Sequence, residues 1–102
     1  MKEVEVIGLK EGTLRFALSG EIDASGADEF FSAVAAAYEN TPADIAFDCE
    51  ELEFIDSTTL GTFVKILKKV KSDGRKLSLC GLQPKIKKLF LICALDKIME
   101  IA

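Results

Sequence analysis

Histidine and tryptophan are both absent from the 102-residue sequence. Without an imidazole the chain cannot build a Ser-His or Cys-His nucleophile pair, a zinc site of mixed histidine and cysteine ligands, or a phosphohistidine relay. The main classes of nucleophilic hydrolase and of histidine phosphotransfer protein are therefore excluded. We expect no enzymatic activity of its own, no cofactor and no bound metal.

Cysteine is scarce, and its three occurrences are far apart. Cys49, Cys80 and Cys93 form no C-x-x-C pair, and their number is odd. Neither a disulfide framework nor a metal knuckle fits this spacing. Because unpaired cysteine is among the residue types most often found in protein cores, we expect three buried free thiols.

Long hydrophobic runs are also missing. The longest one, Leu89–Leu95, has seven residues, far fewer than the ~18 that a membrane-spanning helix needs. Residues 1–5 are acidic, whereas a secretion signal begins basic and continues apolar. The sequence therefore predicts a cytoplasmic protein without membrane insertion.

The residues that are present describe a globular chain. Hydrophobic types make up 49% and only two residues are proline, which excludes a disordered or collagen-like chain. Independently folding units mostly run ~100–150 residues, so we expect residues 1–102 to form one domain.

Charge is distributed unevenly along the chain. Residues 1–56 carry a net charge of −11 and residues 57–102 carry +7. Domains that bind nucleic acid are usually basic throughout, so no nucleic-acid partner is expected. A dipolar surface of this kind orients a protein against a partner with complementary patches.

Hydrophobic periodicity predicts five strands and three helices. Strands are expected at residues 3–9, 14–19, 45–49, 77–79 and 98–101. Helices are expected from an N-cap at Ser25 to Glu39, from about Leu60 to Ser72, and from Pro84 onward with the inner stripe Ile86, Leu89, Phe90 and Cys93. Residues 20–23 and 50–53 are expected to be loops.

The resulting order β-β-α-β-α-β-α-β predicts an α/β fold. Strands separated by helices pair in parallel, so the sheet is expected to be mixed, mostly parallel, with an N-terminal antiparallel hairpin. Polar residues at Arg15, Asp48 and Ser78 alternate with apolar ones, which favours helices mainly on one face. On the third helix, Leu91, Ile92 and Leu95 lie outside the inner stripe, and some of them are expected to be exposed.

The candidate functional side chains lie within residues 54–61, where a strand is followed by the second helix. Asp56 or Ser57 can cap the free amides of the first turn. Three consecutive hydroxyls follow the acid, and a hydroxyl at a helix N-terminus can carry a phosphate because the helix dipole tolerates negative charge there. The segment is therefore either a structural cap alone or a phosphorylation site.

The whole chain resembles a STAS domain, the fold of bacterial anti-sigma factor antagonists. The family's Asp-Ser-Ser-Gly-Leu-Gly-like turn corresponds here to residues 56–61, and its early Gly-Glu-Leu-Asp-like turn corresponds to residues 20–23. A late apolar helix before a terminal strand resembles residues 86–101. The resemblance implies that Ser57 is the phosphoacceptor, with Thr58 and Thr59 as lesser candidates. Thr59 departs from the pattern, since the family prefers Gly there.

The resemblance further implies a partner-switching mechanism. The unphosphorylated protein would bind an anti-sigma factor that is also a serine kinase, and so release the sigma factor. Phosphorylation would end that complex, and a metal-dependent serine phosphatase would reset the cycle. The partner-binding residues carried over from the motifs are Asp23, Asp56, Ser57, Thr58, Thr59 and Gly61.

Three alternatives accompany this hypothesis. The chain could instead be a STAS subunit of a larger signalling or lipid-transport assembly that is never phosphorylated, which Thr59 favours. A nucleotide-hydrolysing enzyme is disfavoured because no Gly-rich phosphate loop occurs. A phosphoaspartate receiver is disfavoured because residues 8–10 supply no acidic cluster after the first strand. The sequence leaves the oligomeric state open.

Overall fold

A computed structural model describes all 102 residues and contains one five-stranded sheet. The strands are β1 (Val4–Lys10), β2 (Thr13–Ile22), β3 (Asp44–Ile55), β4 (Leu77–Cys80) and β5 (Glu100–Ile101). They lie side by side in chain order, with β1 antiparallel to β2 and all other neighbours parallel. The predicted mixed sheet with an N-terminal antiparallel pair is confirmed.

Three helices connect the parallel strands. They are α1 (Ala27–Asn40), α2 (Ser57–Ser72) and α3 (Pro84–Ile92), and a 3₁₀ turn follows at Leu95–Lys97. None of these helices combines the length and the apolar composition that a membrane span requires. Because right-handed crossovers advance steadily across a sheet whose order never reverses, all three helices lie on the same face.

Burial alternates along the central strands, as a sheet covered on one face requires. Phe16 and Phe47 are fully buried beneath the helices, whereas Arg15 and Asp48 on the opposite face are exposed. Side chains of a strand point alternately to the two faces, so the polar positions mark the uncovered side. The expectation of helices mainly on one face is confirmed.

Five phenylalanines form the centre of the core between the sheet and the helices. Neighbouring rings have centroids 5.2 to 5.9 Å apart, mostly in edge-to-face arrangements, a geometry that aromatic quadrupoles favour. The five residues are Phe16, Phe30, Phe47, Phe63 and Phe90. Since they come from β2, α1, β3, α2 and α3, one cluster ties every helix to the sheet.

The C-terminal ends of α1 and α2 are also joined by polar contacts. The Tyr38 hydroxyl donates a 2.6 Å hydrogen bond to the Asp73 carboxylate, and Lys69 forms a 3.2 Å ion pair with Glu39. Burial, assisted by the bond to Asp73, raises the pKa of Tyr38. These contacts fix the two helices side by side and thereby fix the relative position of their N-termini.

Two strands are longer than the sequence predicts. Residues 20–22 continue β2 and residues 50–53 continue β3, so both expected loops are wrong except at Asp23. The two extensions pair with each other in parallel, through irregular steps between Ala17 and Ser19 and between Gly20 and Glu21. Pairing between the two strands stabilises these segments, although one begins with a glycine and the other is mostly glutamate, residue types that are depleted in strands.

The C-terminal region departs from the predicted helix stripe. Ile86 and Phe90 are buried, but Leu89 and Cys93 of the expected inner stripe are exposed. Leu91 and Ile92 are exposed as expected, while Leu95 is buried. The helix ends at Ile92 and Ala94 adopts a left-handed conformation, so the chain turns back and directs Leu95 into the core.

The cysteines do not all behave as predicted. Only Cys49 is buried, and burial raises its pKa to about 12. Cys80 and Cys93 are exposed, because β4 places Cys80 on the uncovered face of the sheet and α3 ends before Cys93. All three are free thiols, as expected.

Candidate functional site

The site lies at the carboxyl ends of β2 and β3, which are neighbours in the sheet. The last residues of the two strands, Ile22 and Ile55, are paired in register and both are buried. The chain then leaves each strand through an aspartate, Asp23 or Asp56. Residues 32 to 37 positions apart in sequence are thereby brought into hydrogen-bonding contact.

Asp56 is the residue that joins the two chain segments. It is the N-cap of α2: its Oδ1 accepts a 2.9 Å hydrogen bond from the Thr59 amide. Its Oδ2 accepts a 2.8 Å bond from the Ala24 amide in the β2–α1 loop. These amide donors, Thr59 first, lower the pKa of Asp56. Its carboxylate is therefore ionised at neutral pH and orients the turn.

Asp23 turns onto its own loop. Its Oδ1 accepts hydrogen bonds from the Ser25 amide at 3.0 Å and from the Ser25 hydroxyl at 2.6 Å. The expected N-cap at Ser25 is wrong, since α1 begins after Gly26 and has no side-chain cap. Ser25 is engaged by Asp23 and does not reach the helix. Asp23 itself is exposed beside the Asp56 junction.

Thr59 points inward. The residue is fully buried, and its hydroxyl donates a 2.6 Å hydrogen bond to the Ile22 carbonyl oxygen. As a phosphoacceptor or partner-binding residue, Thr59 was wrongly expected, because no other protein can reach that oxygen. Its branched side chain occupies the interior, where it fastens the end of β2 to the first turn of α2.

Ser57 and Thr58 point outward. Both are exposed, and they occupy the first two positions of α2. Neither of their amides donates a hydrogen bond within the protein, as is usual in the first turn of a helix. Gly61, one helical turn after Ser57, is also exposed, and a Cβ added there would meet nothing within 4 Å. This end of α2 is open to a second protein.

An apolar groove beside this junction was not foreseen from the sequence. It has a volume of about 280 Å³ and is lined by Phe54, Ile55, Lys85, Ile86 and Leu89. Phe54 and Leu89 are 43% and 38% exposed. The apolar pair at residues 54–55 could have indicated this groove. Neighbouring residues of a strand point to opposite faces, so only one of the two can face the protein core.

The groups around Ser57 are a hydroxyl, backbone amides and carboxylates. Ser57 makes no hydrogen bond to a base, and no group of three or more carboxylates or thiols is placed to hold a metal ion. What the arrangement offers is an exposed hydroxyl at the N-terminus of α2, directly after the carboxylate of Asp56 and close to the loop that carries the carboxylate of Asp23.

Known proteins share both the sequence pattern and this architecture. The sequence matches the STAS domain family over residues 6–102. The anti-sigma-B factor antagonist of Listeria monocytogenes is 33% identical over 84 residues, which are 82% of this chain and 74% of that protein. The anti-sigma-B factor antagonist of Staphylococcus aureus is 29% identical over 82% of this chain and 78% of its own length.

Solved structures agree at the level of the fold. An anti-sigma factor antagonist from Mycobacterium paratuberculosis superposes with a TM-score of 0.80 at 22% identity, covering 96% of this chain and 80% of its own. The Bacillus cell fate determinant SpoIIAA in its phosphorylated form has a TM-score of 0.76 at 20% identity, covering 97% and 90%. These likenesses show the fold, and the family match and the Listeria relative show that the chain belongs to the STAS-domain family of anti-sigma factor antagonists.

Proposed function

We propose that this protein binds an anti-sigma factor that is also a serine kinase, and that phosphorylation of Ser57 ends the complex. The observation that carries the proposal is the placement of Ser57: it is exposed at the first position of α2, while Asp56 before it and Thr59 after it are held by hydrogen bonds. The hydroxyl is thus presented at a fixed position.

The fold can tolerate a phosphate on Ser57. The amides of Ser57 and Thr58 lack acceptors within the protein, and the N-terminus of a helix carries about half a positive charge. A phosphate placed there receives free donors and a favourable dipole. The modified protein is therefore expected to keep its structure.

A complex formed around the neutral hydroxyl would not tolerate the same phosphate. Phosphorylation adds about −1.5 to −2 charges beside the ionised carboxylate of Asp56 and near the exposed Asp23. In an interface, like-charge juxtaposition and desolvation cost several kcal/mol. One modification would therefore switch the affinity without a change of fold.

The proposed contact surface surrounds the hydroxyl. It consists of Asp23, Ser57, Thr58, Gly61 and the apolar groove at Phe54, with Asp56 as the residue that holds them in place. Gly61 has no side chain and lies one turn from Ser57, which allows the backbone of a partner to approach α2 closely. Exposed apolar surface beside polar groups is typical of a protein interface.

The rival role, a STAS subunit of a larger assembly that is never phosphorylated, loses the feature that favoured it. A branched side chain at position 59 would hinder a kinase only if it projected from the surface. Because that side chain is buried, it leaves the approach to Ser57 free. The departure from the family's glycine is explained by the bond from Thr59 to the Ile22 carbonyl oxygen.

The proposal is tested by site mapping with the partner kinase. Ser57→Ala protein, which cannot be released by phosphorylation, serves as bait to capture the kinase from the cytoplasm of the source organism. With ATP, mass spectrometry should then place one phosphate on wild-type Ser57 and none on Ser57→Ala, whereas Thr58→Ala should be modified like the wild type. A metal-dependent serine phosphatase should remove the phosphate.

Gly61→Ala is a second test that separates binding from folding. Alanine is the better helix former by about 1 kcal/mol and meets no neighbour at this position, so stability should rise while kinase binding weakens. If phosphate appears on Thr58 alone, or if Gly61→Ala binds as tightly as the wild type, the proposed surface is wrong.

A further inference from the structure

The two edges of the sheet differ in what they leave unpaired. β5 has only two residues, whereas β1 has seven and no strand on its outer side. Three apolar side chains of β1 are exposed: Val6 by 49%, Ile7 by 57% and Leu9 by 56%. Long apolar edge strands are templates for pairing with another chain, and monomeric proteins usually shorten or charge them.

Beyond Val4, whose amide donates to the Met1 carbonyl oxygen, the backbone of β1 presents free hydrogen-bonding groups at two positions. The Ser19 amide donates to the Glu3 carbonyl, so the backbone groups of Glu3 and Glu5 face β2 and those of Val6 face outward. At the other end, a two-residue turn with positive φ at both positions joins Lys10 to Thr13. Such turns close on a hydrogen-bonded pair.

Lys10 and Thr13 form this closing pair, so the backbone groups of Lys10 face β2. Leu9, the residue before Lys10, therefore directs its amide and carbonyl outward, as Val6 does. A bulge between Val6 and Gly8 shifts the register of β1 by one residue. As a result Val6 and Leu9, three residues apart, both lie opposite core-facing residues of β2, Phe16 and Leu14. The bulge thus gives the two positions the same orientation and the same free backbone groups.

We propose that β1 pairs antiparallel with β1 of a second copy of this chain, so that Val6 of each copy lies opposite Leu9 of the other. The pairing exchanges four backbone hydrogen bonds about a twofold axis and extends the sheet to ten strands. The apolar side chains of Val6 and Leu9 cover one another on the helix side, and the two Ile7 side chains approach on the uncovered side.

Charge complementarity identifies a second copy as the occupant. In this register Glu5 of one copy lies directly opposite Lys10 of the other, on the uncovered face. The pair is of the non-hydrogen-bonded type, in which side chains are closest. Neither residue forms an ion pair within its own chain, and symmetry makes the contact twice. A shift of register by two residues loses both contacts.

The test is self-association under reducing conditions, which prevent disulfides between the exposed Cys80 and Cys93. In sedimentation equilibrium the average mass of the wild type should rise with concentration from 11.1 kDa toward twice that value. An interface this small is expected to be reversible. Glu5→Lys and Lys10→Glu should each weaken association about tenfold or more, since either change creates two repulsive pairs.

Mixing the two variants provides the decisive control. Only a heterodimer of the Glu5→Lys and Lys10→Glu chains places opposite charges at both contacts between positions 5 and 10. An equimolar mixture should therefore associate as well as the wild type. Lys88→Glu, the same charge change on the exposed side of α3, should have no effect. In the dimer, hydrogen exchange of the Val6 and Leu9 amides should slow.

Three results would overturn the β1 dimer. The first is a wild type that stays at 11.1 kDa over the whole soluble range. The second is self-association that neither Glu5→Lys nor Lys10→Glu changes, which would place the contact elsewhere, such as at α3. The third is a mixture of the two variants that remains monomeric although each is folded.

Discussion

Two strand-to-helix junctions lie side by side at the carboxyl end of the sheet, and they use similar residues differently. In both, a buried isoleucine ends the strand and an aspartate follows, Asp23 after β2 and Asp56 after β3. Asp23 binds only its own loop through Ser25. Asp56 binds the first turn of α2 and also the neighbouring junction.

The distance from strand to helix explains this difference. α2 begins directly after Asp56, so the aspartate is the N-cap and its carboxylate must satisfy a helix amide. α1 begins only after Gly26, beyond the reach of Asp23. The β3–α2 junction is therefore rigid enough to present Ser57 at one position, whereas the β2–α1 loop supplies an amide that strengthens it.

Removing the capping carboxylate should have the largest effect. Asp56→Ala leaves the amides of Thr59 and Ala24 without their acceptor and separates the two junctions. We expect the greatest loss of thermal stability among the four changes considered, measured by calorimetry. Asp23→Ala is the matched control. Equal losses of stability at both aspartates would show that Asp56 contributes no more to the fold than Asp23 does.

The pH dependence of stability sharpens this prediction. The folded protein lowers the pKa of Asp56 below its ordinary value of 3.8, so its contribution is present above that pH and is lost as the pH falls through the lower, folded pKa. The stability difference between the wild type and Asp56→Asn should therefore shrink below pH 3.8. A difference that is constant between pH 7 and pH 2.5 would show that the charge of Asp56 contributes nothing.

Loss of the buried Thr59 hydroxyl should cause the second-largest loss of stability. Thr59→Val keeps the shape of the side chain but leaves the Ile22 carbonyl without its donor. An unsatisfied buried acceptor costs about 1–3 kcal/mol, to be measured by urea unfolding. Thr59→Ser retains the hydroxyl and should recover part of the loss; if serine is no better than valine, the hydrogen bond is not what stabilises this turn.

Asp23→Ala should cost little, about 0.5 kcal/mol, since its bonds remain within an exposed loop. Binding of the anti-sigma factor should weaken much more than folding does, because Asp23 lies on the proposed contact surface. Unfolding and titration calorimetry on the same sample separate the two effects. A change in stability with no change in affinity would remove Asp23 from that surface.

Ser57→Ala should have the smallest effect on folding. Its hydroxyl donates no hydrogen bond within the protein, and alanine is a better helix former than serine. The unfolding midpoint in urea should therefore equal or slightly exceed that of the wild type. A clear destabilisation would mean that the Ser57 hydroxyl stabilises the first turn of α2.

The sequence predicts the order of elements and the sheet because both follow from hydrophobic periodicity. Local patterns could not reveal the extensions of β2 and β3, since Gly20 and Glu51 become strand residues only by pairing across the two extensions. In the same way Leu89 and Cys93 fit a helical stripe, but the turn at Ala94 ends the helix early.

At the site, the motif located Asp56 and Ser57, but it did not tell an outward hydroxyl from an inward one. Ser57, Thr58 and Thr59 are chemically alike, and their directions depend on the helical rotation of 100° per residue and on the position of Ile22. The hydrogen bond from the Ala24 amide to Asp56 could not be predicted either, since the two residues meet only through the register of β2 and β3.

A phosphate on Ser57 is expected to weaken the interface with the anti-sigma factor and to leave the fold intact. The most direct test compares fully phosphorylated with unmodified protein in one titration calorimetry series against the anti-sigma factor, with thermal unfolding measured on both. We predict an affinity about 100-fold or more lower with nearly the same unfolding temperature. Equal affinities, or a phosphorylated protein that binds weakly only because it is unfolded, would rule out Ser57 as a switch of this kind.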